Sequence, residues 1–224
     1  MRTIAFLTQK GGAGKTTLVA SLAVAAATTG ERVIALDLDP QGSLVRWGQR
    51  RQAASASQMV MVEPFEGERL PRLRAILDGL AGAGFTLAIV DTAGADGAAA
   101  TLVTQVADLC LLPARPTRLD VEATAATFRT VCLAKRKAAF VLNQCLPTPR
   151  SSRANEAAKG LTHLGVLAEP MLASRIDFQD AIAAGLGVTE YAAGGRAAQE
   201  IETLWRWVQA QLEADNRPSR QAAA

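Results

Sequence analysis

Along this chain, short apolar runs alternate with longer stretches of helical periodicity. Residues 3–8 (TIAFLT) contain no charged position, the pattern of a buried strand. Residues 15–29 follow as an Ala-rich helix, apolar almost all round, with Gly30 as its natural stop. The run RVIALDLD (32–39) reads as a second strand that ends in acids. Further strands are expected at 59–64 (MVMVEP), 85–91 (FTLAIVD), 108–114 (DLCLLPA, stopped by Pro113) and 138–144 (AAFVLNQ). A helix is expected at 68–81, where Leu70, Leu73, Ile76, Leu77 and Leu80 recur at helical spacing, and others at 119–134, 151–164 and 176–184. A last long helix starts near Gly195, its apolar stripe being Ile201, Leu204, Trp205, Val208 and Leu212. Residues 215–224 read as a frayed tail.

Strands separated by helices imply an α/β fold: one domain over 1–214, a mostly parallel twisted sheet with helices on both faces. No internal repeat or linker divides the 224 residues. The chain is 49% hydrophobic but only 4% aromatic, so Ala, Val, Leu and Ile must build the core. A formal charge of +3 is mildly basic; it permits contact with nucleic acid without requiring it. Cys110, Cys132 and Cys145 form no C-x-x-C spacing and read as reduced thiols. The longest apolar run, LVASLAVAAA (18–27), is too short to span a bilayer, and a strand so near Met1 leaves no room for a targeting peptide. A cytoplasmic protein with no membrane partner is the expectation.

The chemistry begins between the first strand and helix, at KGGAGKTT (10–17). A glycine-rich turn there aims backbone N–H groups at one anion, and the helix N-terminus adds its positive end. This is the layout of a P-loop NTPase. Gly11, Gly12, Ala13, Gly14 and Thr17 would cradle phosphates, Lys15 would reach the β- and γ-phosphates, and Thr16 would take Mg²⁺. A structural turn before an Ala-rich helix explains the glycines but not Lys15-Thr16-Thr17. The pattern G-x-x-x-x-G-K-[ST] departs at its first glycine, where Gln9 stands with Lys10 beside it.

Asp37 and Asp39 end the second strand two residues apart, which puts both side chains on one face at the carboxyl edge of the sheet. They suit a Mg²⁺-bound water or an attacking water; the alternative is a pair of acids capping a turn before Pro40. Asp91 ends an apolar strand in the Walker B manner, where it would bind Mg²⁺ through water. Asn143, ending the 138–144 strand, offers one donor and one acceptor to an adenine edge, or else caps a turn before Pro147. No N/T-K-x-D guanine motif is present, so ATP is expected.

With its second lysine, KGGAGKTT resembles the deviant Walker A motif of the ParA/MinD superfamily, which includes nitrogenase iron protein. ALDLDPQGS resembles the ParA switch I region. PTRLDVEAT (116–124) and SRIDFQDAIAAGLGVTE (174–190) look like stretches of short ParA partition proteins, the latter keeping Arg175, Phe178, Ala181, Gly185 and Glu190. The resemblance covers nearly the whole chain and lacks the N-terminal helix-turn-helix of long ParA proteins, which points to the small class.

The resemblance implies a homodimer sandwiching two ATP·Mg²⁺, with Lys10 crossing to the partner's nucleotide as the signature lysine. It implies that Asp39 positions the hydrolytic water, that Asp37 supports the Mg²⁺ shell, and that turnover is slow. It further implies non-specific binding of double-stranded DNA at the nucleoid and a ParB-like centromere-binding adaptor that stimulates hydrolysis, driving plasmid or chromosome partition. Lys159, Arg175, Arg196 and Arg206 are the candidate DNA contacts, lying in the late segments where the family's DNA face sits. The alternative function is a positioning ATPase for another cargo: a carboxysome, a chemotaxis cluster or a DNA-transfer complex.

One departure concerns Asp91-Thr92-Ala93-Gly94, where ParA proteins often carry two prolines; Gly94 then stands where a switch loop often senses the γ-phosphate. A MinD-like membrane reading needs an amphipathic C-terminal helix, but residues 213–224 contain Pro218 and no large apolar side chain. A cluster-binding iron protein would need paired interface cysteines, whereas Cys110 falls in an expected strand and Cys132 in an expected helix.

Overall fold

The computed structural model describes residues 1–54, 56–93, 98–148 and 152–214. Gly94 and the expected tail at 215–224 lie outside the described residues. The elements in chain order are β1 (Arg2–Phe6), α1 (Lys15–Thr28), β2 (Val33–Asp37), α2 (Ser43–Ala53), β3 (Val60–Pro64), a 3₁₀ turn (Gly67–Arg72), α3 (Leu73–Gly82), β4 (Leu87–Asp91), α4 (Ala98–Val106), β5 (Leu109–Ala114), α5 (Arg118–Leu133), β6 (Ala138–Leu142), α6 (Ser152–Leu164), β7 (Val166–Leu167), α7 (Ile176–Ala183), α8 (Val188–Tyr191) and α9 (Arg196–Glu213).

Among the described residues, seven strands form one sheet in the order β3-β2-β4-β1-β5-β6-β7, every pairing parallel. The central strands β2, β4 and β5 are buried along their whole length, which is why each reads as an unbroken apolar run. Pro113 does not stop β5. Cys110 N donates toward β6, to Lys137 O, so alternation turns the nitrogen of residue 113 toward β1. Pairing with β1 ends at Phe6↔Leu111, and the missing N–H falls beyond that ladder.

Helices cover both faces. On one, α1 is nearly all buried because α9 and α7 enclose it with the sheet; Leu18, Leu22, Val24, Ile201, Leu204 and Trp205 share that core. Each fully buried aliphatic side chain there contributes roughly 1.5–3 kcal/mol. The Trp205 indole N–H donates to Thr29 Oγ1 at 2.8 Å, so its polar edge is satisfied at the helix end. On the other face, α3, α4, α5 and α6 lay Leu73, Leu77, Val103, Val131 and Leu161 against the sheet.

The sequence reading has no counterpart for α2, α4, α8 or β7. In α2 the buried positions are Leu44, Trp47, Gly48 and Arg51, an i, i+3, i+4, i+7 face that includes a glycine and a charge. A Cβ on Gly48 would lie 2.8 Å from Val62 Cβ, so glycine lets the helix sit directly on β3. Arg51 is buried against Glu190 of α8 in a two-pronged pair at 2.7 and 2.8 Å. The expected helix at 68–81 begins as the 3₁₀ turn, because Pro71 removes an α-helical donor.

Candidate nucleotide site

The carboxyl ends of β1, β2 and β4 adjoin one another at the middle of the sheet. Register pairs Phe6 with Asp91 and Asp37 with Asp91, so the loop after β1 meets both acids. That loop ends at Gly14, the N-cap of α1, in the left-handed conformation with φ 84°. A side chain there would be strained, and its Cβ would lie 2.5 Å from Asn143 Nδ2. The sequence can therefore place only glycine at this point.

A cavity of about 440 Å³ opens over the loop. It is lined by Gly11, Gly12, Gly14, Lys15, Thr16 and Thr17 on one side and by Asp39, Ser43, Arg46, Arg50 and Ile182 on the other. Ala13 is buried beneath it, and Lys10 is half-buried at the loop's start and outside the cavity lining. Lys15 is almost wholly buried; burial lowers its pKa, and Asp91 and then Asp39 oppose that shift. The lysine is therefore a buried cation that feels the charge of two carboxylates.

Thr16 Oγ1 donates to Asp91 Oδ2 at 2.6 Å. The other oxygen, Asp91 Oδ1, is buried without a partner. Burial pushes the Asp91 carboxyl up to about 7; the Thr16 hydroxyl and Lys15 pull it down, and Asp37 and Asp39 add to the rise. An orphaned buried carboxylate oxygen beside a hydroxyl is a hard, all-oxygen donor set, which fits Mg²⁺. Among the described residues no group of three acidic, histidine or cysteine side chains could hold a metal on its own.

The strand-end residues depart in part from expectation. Asp37 and Asp39 do not share a strand face: β2 ends at Asp37, and Asp39 lies in the following turn. Both Asp37 oxygens accept backbone N–H groups, from Asp39 at 3.1 Å and from Val45 at 3.0 Å, so this acid holds the turn and caps α2. Asp39 lines the cavity, its Oδ1 accepting from Gln41 N at 2.9 Å. Asn143 is buried and turned under the loop, Nδ2 donating to Ala13 O at 2.8 Å. That bond takes one of the two Nδ2 donors and ties the strand end to the loop.

The four basic candidates do not form one surface. Arg175 is tied to Glu200 through Nε at 3.1 Å and Nη2 at 2.6 Å, while Glu200 also accepts from Ala173 N. It ties the start of α7 to Glu200 of α9, so its charge is already matched by a carboxylate. Lys159 stands on α6, on the opposite side of the sheet from α9. Arg196 and Arg206 are exposed on α9, the latter bonding Glu202 O and Thr203 Oγ1 of its own helix.

Sequence reasoning missed Gln144 and the arginines of α2. Gln144 Nε2 donates to Gly12 O at 2.9 Å, beside the Asn143 bond. Arg46 and Arg50 are one turn apart on a helix whose mixed face concealed its periodicity.

Comparison with known proteins places this geometry. The model of the VirC1 protein family matches residues 1–201. The chain belongs to the VirC1 family, within the ParA/MinD superfamily. A VirC1-family relative, protein virC1 of Rhizobium radiobacter, is 31% identical over 178 residues, 76% of each chain. The maintenance of carboxysome distribution protein A of Gloeobacter kilaueensis is 34% identical over 216 residues, covering 96% of this chain and 95% of that one. Among solved structures, apo McdA of Cyanothece superposes with a TM-score of 0.78 at 17% identity, covering 95% of this chain and 99% of that one. Among the described residues, no helix is long and apolar enough to cross a membrane.

Proposed function

We propose that this VirC1-family chain is a slow, Mg²⁺-dependent ATPase that dimerises on ATP and, through an adaptor protein, positions a cellular cargo. The observation that carries the reading is the Thr16–Asp91 pair beside Lys15: a bond at 2.6 Å that leaves a buried carboxylate oxygen without a partner at the mouth of a phosphate loop. In this reading Gly11 to Gly14 and Thr17 cradle the phosphates, Lys15 neutralises them, and Thr16 and Asp91 hold Mg²⁺, Asp91 through water. The ion would neutralise charge on the phosphates. Asp39 orients the attacking water from the rim, and Lys10, outside its own cavity, serves the nucleotide of a second subunit. Asp37 is left out of the metal set because both its oxygens hold backbone.

For the cargo, the near-full-length likeness to a carboxysome distribution protein favours a cargo other than a plasmid or chromosome. Non-specific DNA binding would then serve as the track. Of its four candidates, Lys159, Arg196 and Arg206 are exposed, the last two together on α9. The test combines size-exclusion chromatography and DNA co-sedimentation with ATP, ADP and no nucleotide. A dimer and a DNA pellet that appear only with ATP support the reading; a species that stays monomeric in all three defeats it.

A further inference from the structure

Arg46 is poised between the phosphate loop and the turn that carries Asp39. Its Nη1 donates to Gln41 O and its Nη2 to Ser43 Oγ at 3.1 Å. Gln41 N in turn donates to Asp39 Oδ1 at 2.9 Å, and Gly42 N to Asp39 O at 2.8 Å. One guanidinium therefore straps a turn of five residues. Gly42 is left-handed with φ 61°, and a Cβ there would lie 3.8 Å from Arg46 Nη1, so the strap runs close over the glycine. The same arginine lines the cavity over Lys15, Thr16 and Thr17.

We propose that Arg46 senses the γ-phosphate: in the triphosphate complex its guanidinium leaves the Gln41 carbonyl for a phosphate oxygen, and the Asp39 turn is released into its working position. This rests on the nucleotide reading above. The physical basis is a competition between acceptors. The guanidinium is charged in both cases, but a carbonyl offers it only a dipole, whereas a phosphate oxygen adds an attraction between opposite charges. A planar fork can take two such oxygens at once. A diphosphate, one anionic group shorter, leaves the strap closed. Arg46 thus discriminates triphosphate from diphosphate and couples that difference to Asp39. Arg50 lines the same cavity one turn further on, but its Nε is bonded to Ile182 O on α7, so it adds charge without holding the turn.

The experiment measures Kd for Mg·ADP and for a non-hydrolysable Mg·ATP analogue by calorimetry, in the wild type, Arg46→Ala, Arg46→Lys and Arg50→Ala. Hydrogen exchange at Gln41 and Gly42 is followed in parallel. Arg46→Ala is expected to weaken the triphosphate at least tenfold while ADP stays within twofold, and to abolish the triphosphate-specific change in exchange. Arg46→Lys restores part of both effects, and Arg50→Ala keeps the discrimination. Equal loss of both nucleotides in Arg46→Ala, or an unchanged ratio, overturns the proposal while leaving the nucleotide site intact. Equal loss of discrimination in Arg50→Ala overturns it as well, since cavity charge alone would then suffice. A wild type that binds neither nucleotide defeats the nucleotide reading and this inference with it. Because Arg46 is exposed, Arg46→Ala should fold; thermal melting without nucleotide checks this, and Arg46→Gln serves as the second variant.

Discussion

The two sides of the phosphate loop are held by different kinds of contact. Toward β4 and β6 the bonds are remote in sequence: Thr16 to Asp91 spans 75 residues, Asn143 to Ala13 spans 130 and Gln144 to Gly12 spans 132. In the turn that carries Asp39, the side-chain bonds are local, from Asp39 N to Asp37 across two residues up to Val45 N to Asp37 across eight. Remote bonds exist only when the sheet is assembled, so that side is as persistent as the fold. Local bonds can exchange partners without unfolding anything, and segments that switch are drawn from such places. The molecule thus pairs a fixed cradle with an adjustable rim.

Perturbing the cradle should have the largest effects. Lys15→Ala removes the buried cation and should weaken both ADP and ATP by about 100-fold or more, on the scale of hydrogen bonds to charged groups. Calorimetry checks it, and comparable affinity would break the comparison outright. On the rim, Asp39→Ala should lower turnover by about 100-fold, within the range for a positioned general base, while nucleotide affinity stays within twofold. Steady-state hydrolysis measured beside binding separates the two, and a parallel loss of binding would place Asp39 in the cradle instead.

Asn143→Ala should destabilise the fold by about 1–3 kcal/mol, because it leaves the buried Ala13 carbonyl unpaired. Denaturant titration reads this directly. Gln144→Ala breaks a bond of similar length at an exposed side chain, where water can replace the donor, and should cost under about 1 kcal/mol. Equal costs for the two would show that burial does not set the strength of the braces.

The smallest effect is a slope with pH. Burial raises the Glu190 pKa, but Arg51 and the Gly187 amide outweigh it, and the net shift is downward. A carboxylate with a depressed folded pKa contributes stability that is present above the ordinary glutamate range and lost as pH falls through the folded value. Stability of the wild type should therefore fall on acidification through that window, and the slope should be shallower in Glu190→Gln. Identical slopes would remove the α2–α8 tie as a source of acid sensitivity.

How much was legible follows the same division. Buried parallel strands announce themselves as apolar runs, so β1, β2, β4, β5 and β6 could be read directly; β3, largely exposed at the sheet edge, still shows its Val and Met residues, whereas the two residues of β7 carry no period at all. Lys15, Thr16 and Asp91 could be read because each sits at the end of a legible strand or the start of a legible helix. The helix α2 hid behind Arg51, a buried charge whose partner lies 139 residues away. For the same reason Arg175 looked free for DNA: Glu200, its partner, lies 25 residues away in sequence. Asn143 was found as a site residue, but its bond to the loop was not, since nothing in the local sequence shows that β6 ends beneath Ala13.

The two amide side chains under the loop have one more consequence. In a trans peptide the C=O and N–H point in opposite directions. Fixing the carbonyls of Gly12 and Ala13 from below therefore fixes the N–H groups of Ala13 and Gly14 facing away from Asn143 and Gln144. Two donors are aimed before any anion arrives, and the entropy of aligning them is already lost in folding. The loop is in this sense a rigid socket whose orientation is set from behind.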